Sequence, residues 1–144
     1  MNQLLGNEHR KGNLMNVRIF LSISAVIAIL YGLGFVLFPA GIATLYGVNL
    51  DPVGVYVAQL FGAALLGLGI INWSARDARE MDGVLLGNLV ANATGFLVTL
   101  FGQIGQASGI NALGWFTVIL YLFLAVGHGY FRFFSRGLLS RVTR

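Results

Sequence analysis

Between Gly83 and Phe131 the chain reads GVLLGNLVANATGFLVTLFGQIGQASGINALGWFTVILYLFLAVGHGYF, with no Asp, Glu, Lys or Arg. Crossing the apolar core of a bilayer takes about 20 residues at about 1.5 Å of helix rise each. This stretch is too long for one crossing. It divides at Gly102–Asn111 (GQIGQASGIN), a run of Gly and amides that reads as a turn. The division gives spans at 83–102 and 112–131.

Two further charge-free stretches precede it. Ile19–Leu50 holds one span at 19–38, stopped by Pro39, and Val53–Ala75 holds one at 53–73. The apolar part of 19–38 is longer than a signal-peptide core and ends without a small-residue cleavage site, so it reads as a retained helix. The prediction is an all-α, four-transmembrane-helix bundle running up-down-up-down. Residues 1–18 form an N-terminal segment, 19–131 the membrane domain, and 132–144 a basic tail.

Composition points the same way. Of 144 residues, 57% are hydrophobic, 20 are Gly and 10% are charged. Soluble domains carry about 25% charged residues, so these residues do not supply a polar skin, and disorder demands the opposite balance. Four spans put all nine basic residues on one side: Arg10, Lys11 and Arg18, then Arg76 and Arg79, then Arg132, Arg136, Arg141 and Arg144. The other side carries only Asp51. Positive-inside bias then places both termini in the cytoplasm of a cell bounded by this inner membrane, and an odd span count would break the segregation. Trp73 and Trp115 fall at opposite interfaces. The net charge of +4 therefore reads as orientation rather than nucleic-acid binding.

Helices in lipid associate through small residues and interhelical hydrogen bonds. Small residues recur at Ser24, Ala28 and Gly32, at Gly54, Ala58 and Gly62, at Gly87, Ala91 and Gly95, and at Ala125 and Gly129. Polar residues share faces by a 4-3-4 spacing: Asn88, Asn92, Gly95 and Thr99; Thr117, Tyr121, Leu124 and His128; Ser24, Ala28, Tyr31 and Phe35. Polar faces in lipid turn toward protein. Helix rise sorts them into three interior layers: Ser24, Asn88 and His128; Tyr31, Asn92 and Tyr121; and an outer one with Gln59 near Thr99.

No Cys is present, and no Ser-His-Asp set, HExxH, P-loop or dinucleotide fingerprint occurs. The chain reads as non-catalytic. His128, flanked by Gly127 and Gly129, is the one ionisable group of its kind inside a span. Hydrogen bonding to Asn88 is its structural role, and axial ligation of a haem or chlorophyll-type pigment its cofactor role. His9 belongs to the polar N-terminal segment. The loop Arg76–Asp82 reads as a neutralised turn with Arg76 and Glu80 at pairing distance along a helix. The loop after Pro39 admits a short interfacial helix carrying Ile42, Leu45 and Tyr46, ended by Gly47.

Three segments, Leu45–Val48, Phe61–Gly69 running on to Trp73, and Ser108–Trp115, resemble a loose group of small, uncharacterised four-helix bacterial integral membrane proteins. The resemblance implies a bacterial source and this topology, with no activity and no cofactor. Three function classes follow. The first is an accessory or structural subunit of a larger membrane complex, with other subunits or its own copies as partners and anionic headgroups at the basic tail. The second is a small-solute or proton carrier or channel through the polar layers. The third is pigment binding through His128.

Overall fold

The computed structural model describes residues 2–78, 81–105 and 109–140, with side chains for 12, 14–78, 81–105 and 109–134. Its order is α1 (Asn2–Leu37), α2 (Pro39–Leu45), α3 (Pro52–Ala75), α4 (Asp82–Ile104) and α5 (Gly114–Ser140), with no strand among the described residues. Four helices are long and apolar enough to cross a membrane, over Leu14–Leu37, Pro52–Ala75, Asp82–Ile104 and Gly114–Phe134. Helix α1 runs from Asn2, through the segment read as N-terminal and on into the first apolar stretch. No Pro interrupts that segment. At the other end α5 continues to Ser140, well into the segment read as a tail.

Breaks between helices follow local chemistry. Pro39 lacks the N–H that would extend α1, and it opens α2 as a first-turn residue. Gly47 ends this short helix at φ 81°, a left-handed conformation that side-chain-bearing residues rarely adopt. Asp51 starts α3 by accepting a hydrogen bond from Gly54 N at 2.6 Å, and Pro52 follows as its first residue.

The four long helices form two tight pairs. α1 lies along α3, and α4 lies along α5. In the first pair the backbones nearly touch. A Cβ on Gly32 would sit 2.8 Å from Gly62 O, one on Gly62 2.8 Å from Gly32 O, and one on Gly69 3.1 Å from Ala25 O. The seam is thus Ala25, Ile29 and Gly32 against Gly62, Leu66 and Gly69. Of the predicted small-residue runs, Gly32 and Gly62 belong to it. Ser24 and Ala28 face elsewhere. Gly87 has open space around it, and Ala91 is exposed.

Between the pairs contact is sparse, and the two ends of the bundle differ. At the end holding the α1–α3 and α4–α5 links, Asn111 N donates to Tyr46 O at 2.9 Å and Asn111 Nδ2 to Leu45 O at 3.0 Å. At the opposite end Val17 and Leu21 of α1 pack with Leu85 of α4, with Phe131 of α5 against them. Phe20 meets the rings of Phe123 and Phe131 at a tilt and that of His128 edge-on. Asp77 pairs with Arg18, Asp82 pairs with Arg132 at 2.7 Å, and Arg76 lies 3.4 Å over the Trp73 ring. Glu80 lies outside the described residues, and so does its pairing with Arg76. The His9 side chain lies outside them as well.

Candidate intramembrane binding site

Two helix pairs that touch each other mainly at their ends leave space at the middle. That space is a cavity of about 310 Å³, bordered by all four long helices and by α2. Its wall is mostly apolar, and none of its lining residues is charged. Ser24 and Tyr31 reach it from α1, Asn88, Asn92 and Thr99 from α4, and Tyr121 and His128 from α5.

The polar groups do not act as three cross-linking layers. Asn92 Nδ2 turns back to Asn88 O at 2.7 Å, and Thr99 Oγ1 donates to Gly95 O at 2.8 Å, both within α4. No outer layer forms around Gln59. Its side chain lies on the exposed side of α3 and donates to Val36 O of α1 at 3.2 Å. The depth of Gln59 along the helix is right for such a layer, but its angle around the helix is wrong.

Two cross-helix networks exist instead, and each includes a residue outside the predicted layers. At the link end Tyr46 OH lies 2.9 Å from Thr117 Oγ1 and 3.3 Å from Tyr31 OH. Toward the other end Asn72 of α3 and Asn88 of α4 exchange amide hydrogen bonds at 2.7 and 3.2 Å. Both amides are buried, and Asn88 also donates to Val84 O. Asn72 falls in a 4-3-4 register with Phe61, Leu65 and Leu68, all of which line the cavity. That register was the signal available for it. Tyr46 sits on the turn after α2, where helical spacing carries no information.

His128 is fully buried. It does not bond to Asn88, whose side-chain donor is taken up by Asn72 and Val84. His128 Nδ1 lies 2.7 Å from Leu124 O, a group that only accepts, so Nδ1 carries the hydrogen. The cavity wall offers an imidazolium no counter-charge. Nε2 is then a lone-pair acceptor, and it has no partner among the described residues. Ser24 Oγ, also buried and also on the cavity wall, has none either. Gly127 lets the Phe20 ring close in beside the imidazole, because a Cβ there would run into the edge of that ring. Gly95 does the same for the Tyr121 ring, with a Cβ 2.5 Å from its Cε1.

A bare Nε2 with its Nδ1–H fixed on a carbonyl is also the arrangement of an axial metal ligand. An engineered cavity of about 150 Å³ holds one benzene, so the volume here corresponds to a body of about two rings.

A family model described as Domain of unknown function (DUF8292) matches residues 2–130. No curated protein and no solved structure matches the chain.

Proposed function

The chain belongs to the DUF8292 family, whose description assigns no activity, and from the cavity we propose that it is a non-catalytic binding protein that holds a small lipophilic molecule within the membrane. On this reading the four apolar helices cross the inner membrane up-down-up-down, with both termini cytoplasmic. The cation distribution supports that orientation. The observation that carries the binding reading is His128: a fully buried acceptor without a partner, on the wall of an uncharged cavity of about 310 Å³. Buried polar groups are nearly always satisfied, and one left over at a cavity points to a ligand or ordered water.

A through-path for solutes is less well supported. Leu21, fully buried, closes the end with Val17 and Leu85, and no charged residue marks a route. An accessory subunit is the second reading. Exposed apolar side chains such as Leu30, Val57, Val98 and Ile119 support it, but lipid covers such side chains as well as a subunit does.

Orientation is directly testable because the chain has no Cys. Asn49→Cys and Ala112→Cys, both at exposed positions, are expected to react with a membrane-impermeant maleimide on intact cells. Ala78→Cys is expected to react only after permeabilisation. Labelling of Ala78→Cys from outside would refute the orientation.

Binding is tested by taking the protein from its native membrane in lipid nanodiscs and analysing the organic extract by mass spectrometry. A small apolar molecule is expected at near-stoichiometric amount. Ala28→Phe, which puts a ring into the cavity, is expected to lose that molecule at unchanged helix content. Protein partners at fixed ratio, with no such molecule, would instead establish the subunit reading.

A further inference from the structure

The cavity also indicates what its occupant carries. Nε2 of His128 needs a hydrogen-bond donor, because Leu124 O fixes the ring proton on Nδ1. Ser24 Oγ, buried and unpartnered on the same wall, offers a hydroxyl that gives or takes a proton. The remaining amides are committed: Asn72 and Asn88 to each other, and Asn92 to its own helix. No charged side chain lines the space, so a carboxylate or an ammonium would enter unpaired. A ketone or ether oxygen only accepts and leaves Nε2 bare. A hydroxyl is able to donate to Nε2 and to accept through its own oxygen as well.

We infer that the ligand is a neutral apolar alcohol or phenol of about two-ring size, its O–H donated to Nε2 of His128 and its oxygen accepting from Ser24. This inference rests on the binding reading above and adds the polar group that the site selects. Phe20, whose ring meets the imidazole edge-on at 4.9 Å, holds the acceptor in place. The Tyr46–Thr117–Tyr31 network closes the far end around the apolar body.

The test uses the full chain in lipid nanodiscs with His9→Gln, so that His128 is the only histidine, labelled with ¹⁵N in the ring. The probes are 2-naphthol, 2-methoxynaphthalene and naphthalene, each referenced to empty nanodiscs. The expected result is that 2-naphthol binds tenfold to a hundredfold more tightly than 2-methoxynaphthalene, the range set by leaving a buried acceptor unpaired. On 2-naphthol addition the Nε2 resonance shifts, while Nδ1 remains the protonated nitrogen. Ser24→Ala, a small change in a buried position, narrows the preference for 2-naphthol over naphthalene several-fold. Equal binding of all three probes with a stationary Nε2 signal would overturn the hydroxyl inference while upholding the cavity as a binding site. A protonated Nε2 would overturn it as well. Failure of every probe to bind would overturn both.

Discussion

Gly62→Val is expected to be the most damaging single substitution in this protein. A Cβ at position 62 would lie 2.8 Å from Gly32 O and 2.9 Å from both Phe35 Cβ and Val36 N. Two of these three neighbours are backbone atoms of α1, which cannot swing aside as a side-chain tip does. The helices must separate by an ångström or more. In lipid that separation is not offset by any hydrophobic gain, because tails are as apolar as Leu, and helix pairing rests on close packing. Overfilling a packed site costs roughly 1–3 kcal/mol, and here the loss extends along the seam to Leu66 and Gly69. The check is the unfolding midpoint in a denaturing-detergent titration, followed by helix content and size exclusion. Gly67→Ala in the same helix is the control. Nothing lies within 4 Å of a Cβ there, and Ala is the better helix former by about 1 kcal/mol in water, so its midpoint is expected to hold or rise. Similar losses at both positions would mean that α1 and α3 are not packed through this seam.

The contrast between Gly62 and Gly67 also shows where sequence reading stops. The four long apolar helices were legible because the physics involved is one-dimensional. Runs without charge, a Pro stop and a Gly-rich turn set the length of each helix whatever surrounds it. The inward faces were legible to the extent that polar residues repeat in register, as Asn88, Asn92 and Thr99 do, or Tyr121 and His128. Which small residues form a seam was not legible. Ser24, Ala28 and Gly32 follow a 4-4 spacing and Ala25, Ile29 and Gly32 a 4-3 spacing; both are helical, they share Gly32, and spacing alone does not say which stripe meets a neighbour. The structure gives the second stripe to α3 and leaves Ser24 and Ala28 for the cavity. Gln59 shows the complementary limit. Its depth follows from helix rise, but its direction depends on how α3 is rotated, which no single helix records. The cavity was the least legible feature, because it exists only where two pairs fail to meet.

Asn88→Leu is expected to produce the second large effect, and a pairwise experiment separates its two causes. Asn72 and Asn88 are the polar tie between α3 and α4, hence between the two helix pairs. Replacing Asn88 alone removes both reciprocal bonds and leaves the Asn72 amide, 2% exposed, with neither. An unpaired buried amide costs about 1–3 kcal/mol, although measured interhelical bonds in lipid average only about 0.6 kcal/mol. A loss of about 1–2 kcal/mol is therefore expected from the single substitution, read from the same denaturation midpoint. Asn72→Leu strands Asn88 less completely, since Asn88 Nδ2 keeps Val84 O at 2.9 Å, and its loss should be the smaller one. The double substitution removes the need for partners altogether, and two leucines, branched as asparagine is, fill the gap. It is expected to recover most of the loss, giving a coupling of about 1 kcal/mol between the sites. Ligand retention supplies an independent reading. With the tie gone the pairs are held together mainly at their ends, so each single variant should release the bound molecule at a denaturant level where helix content is still intact. Additive losses in the double variant would show that the two amides do not bond to each other, and the α3–α4 register, with the cavity wall it sets, would then have to be redrawn.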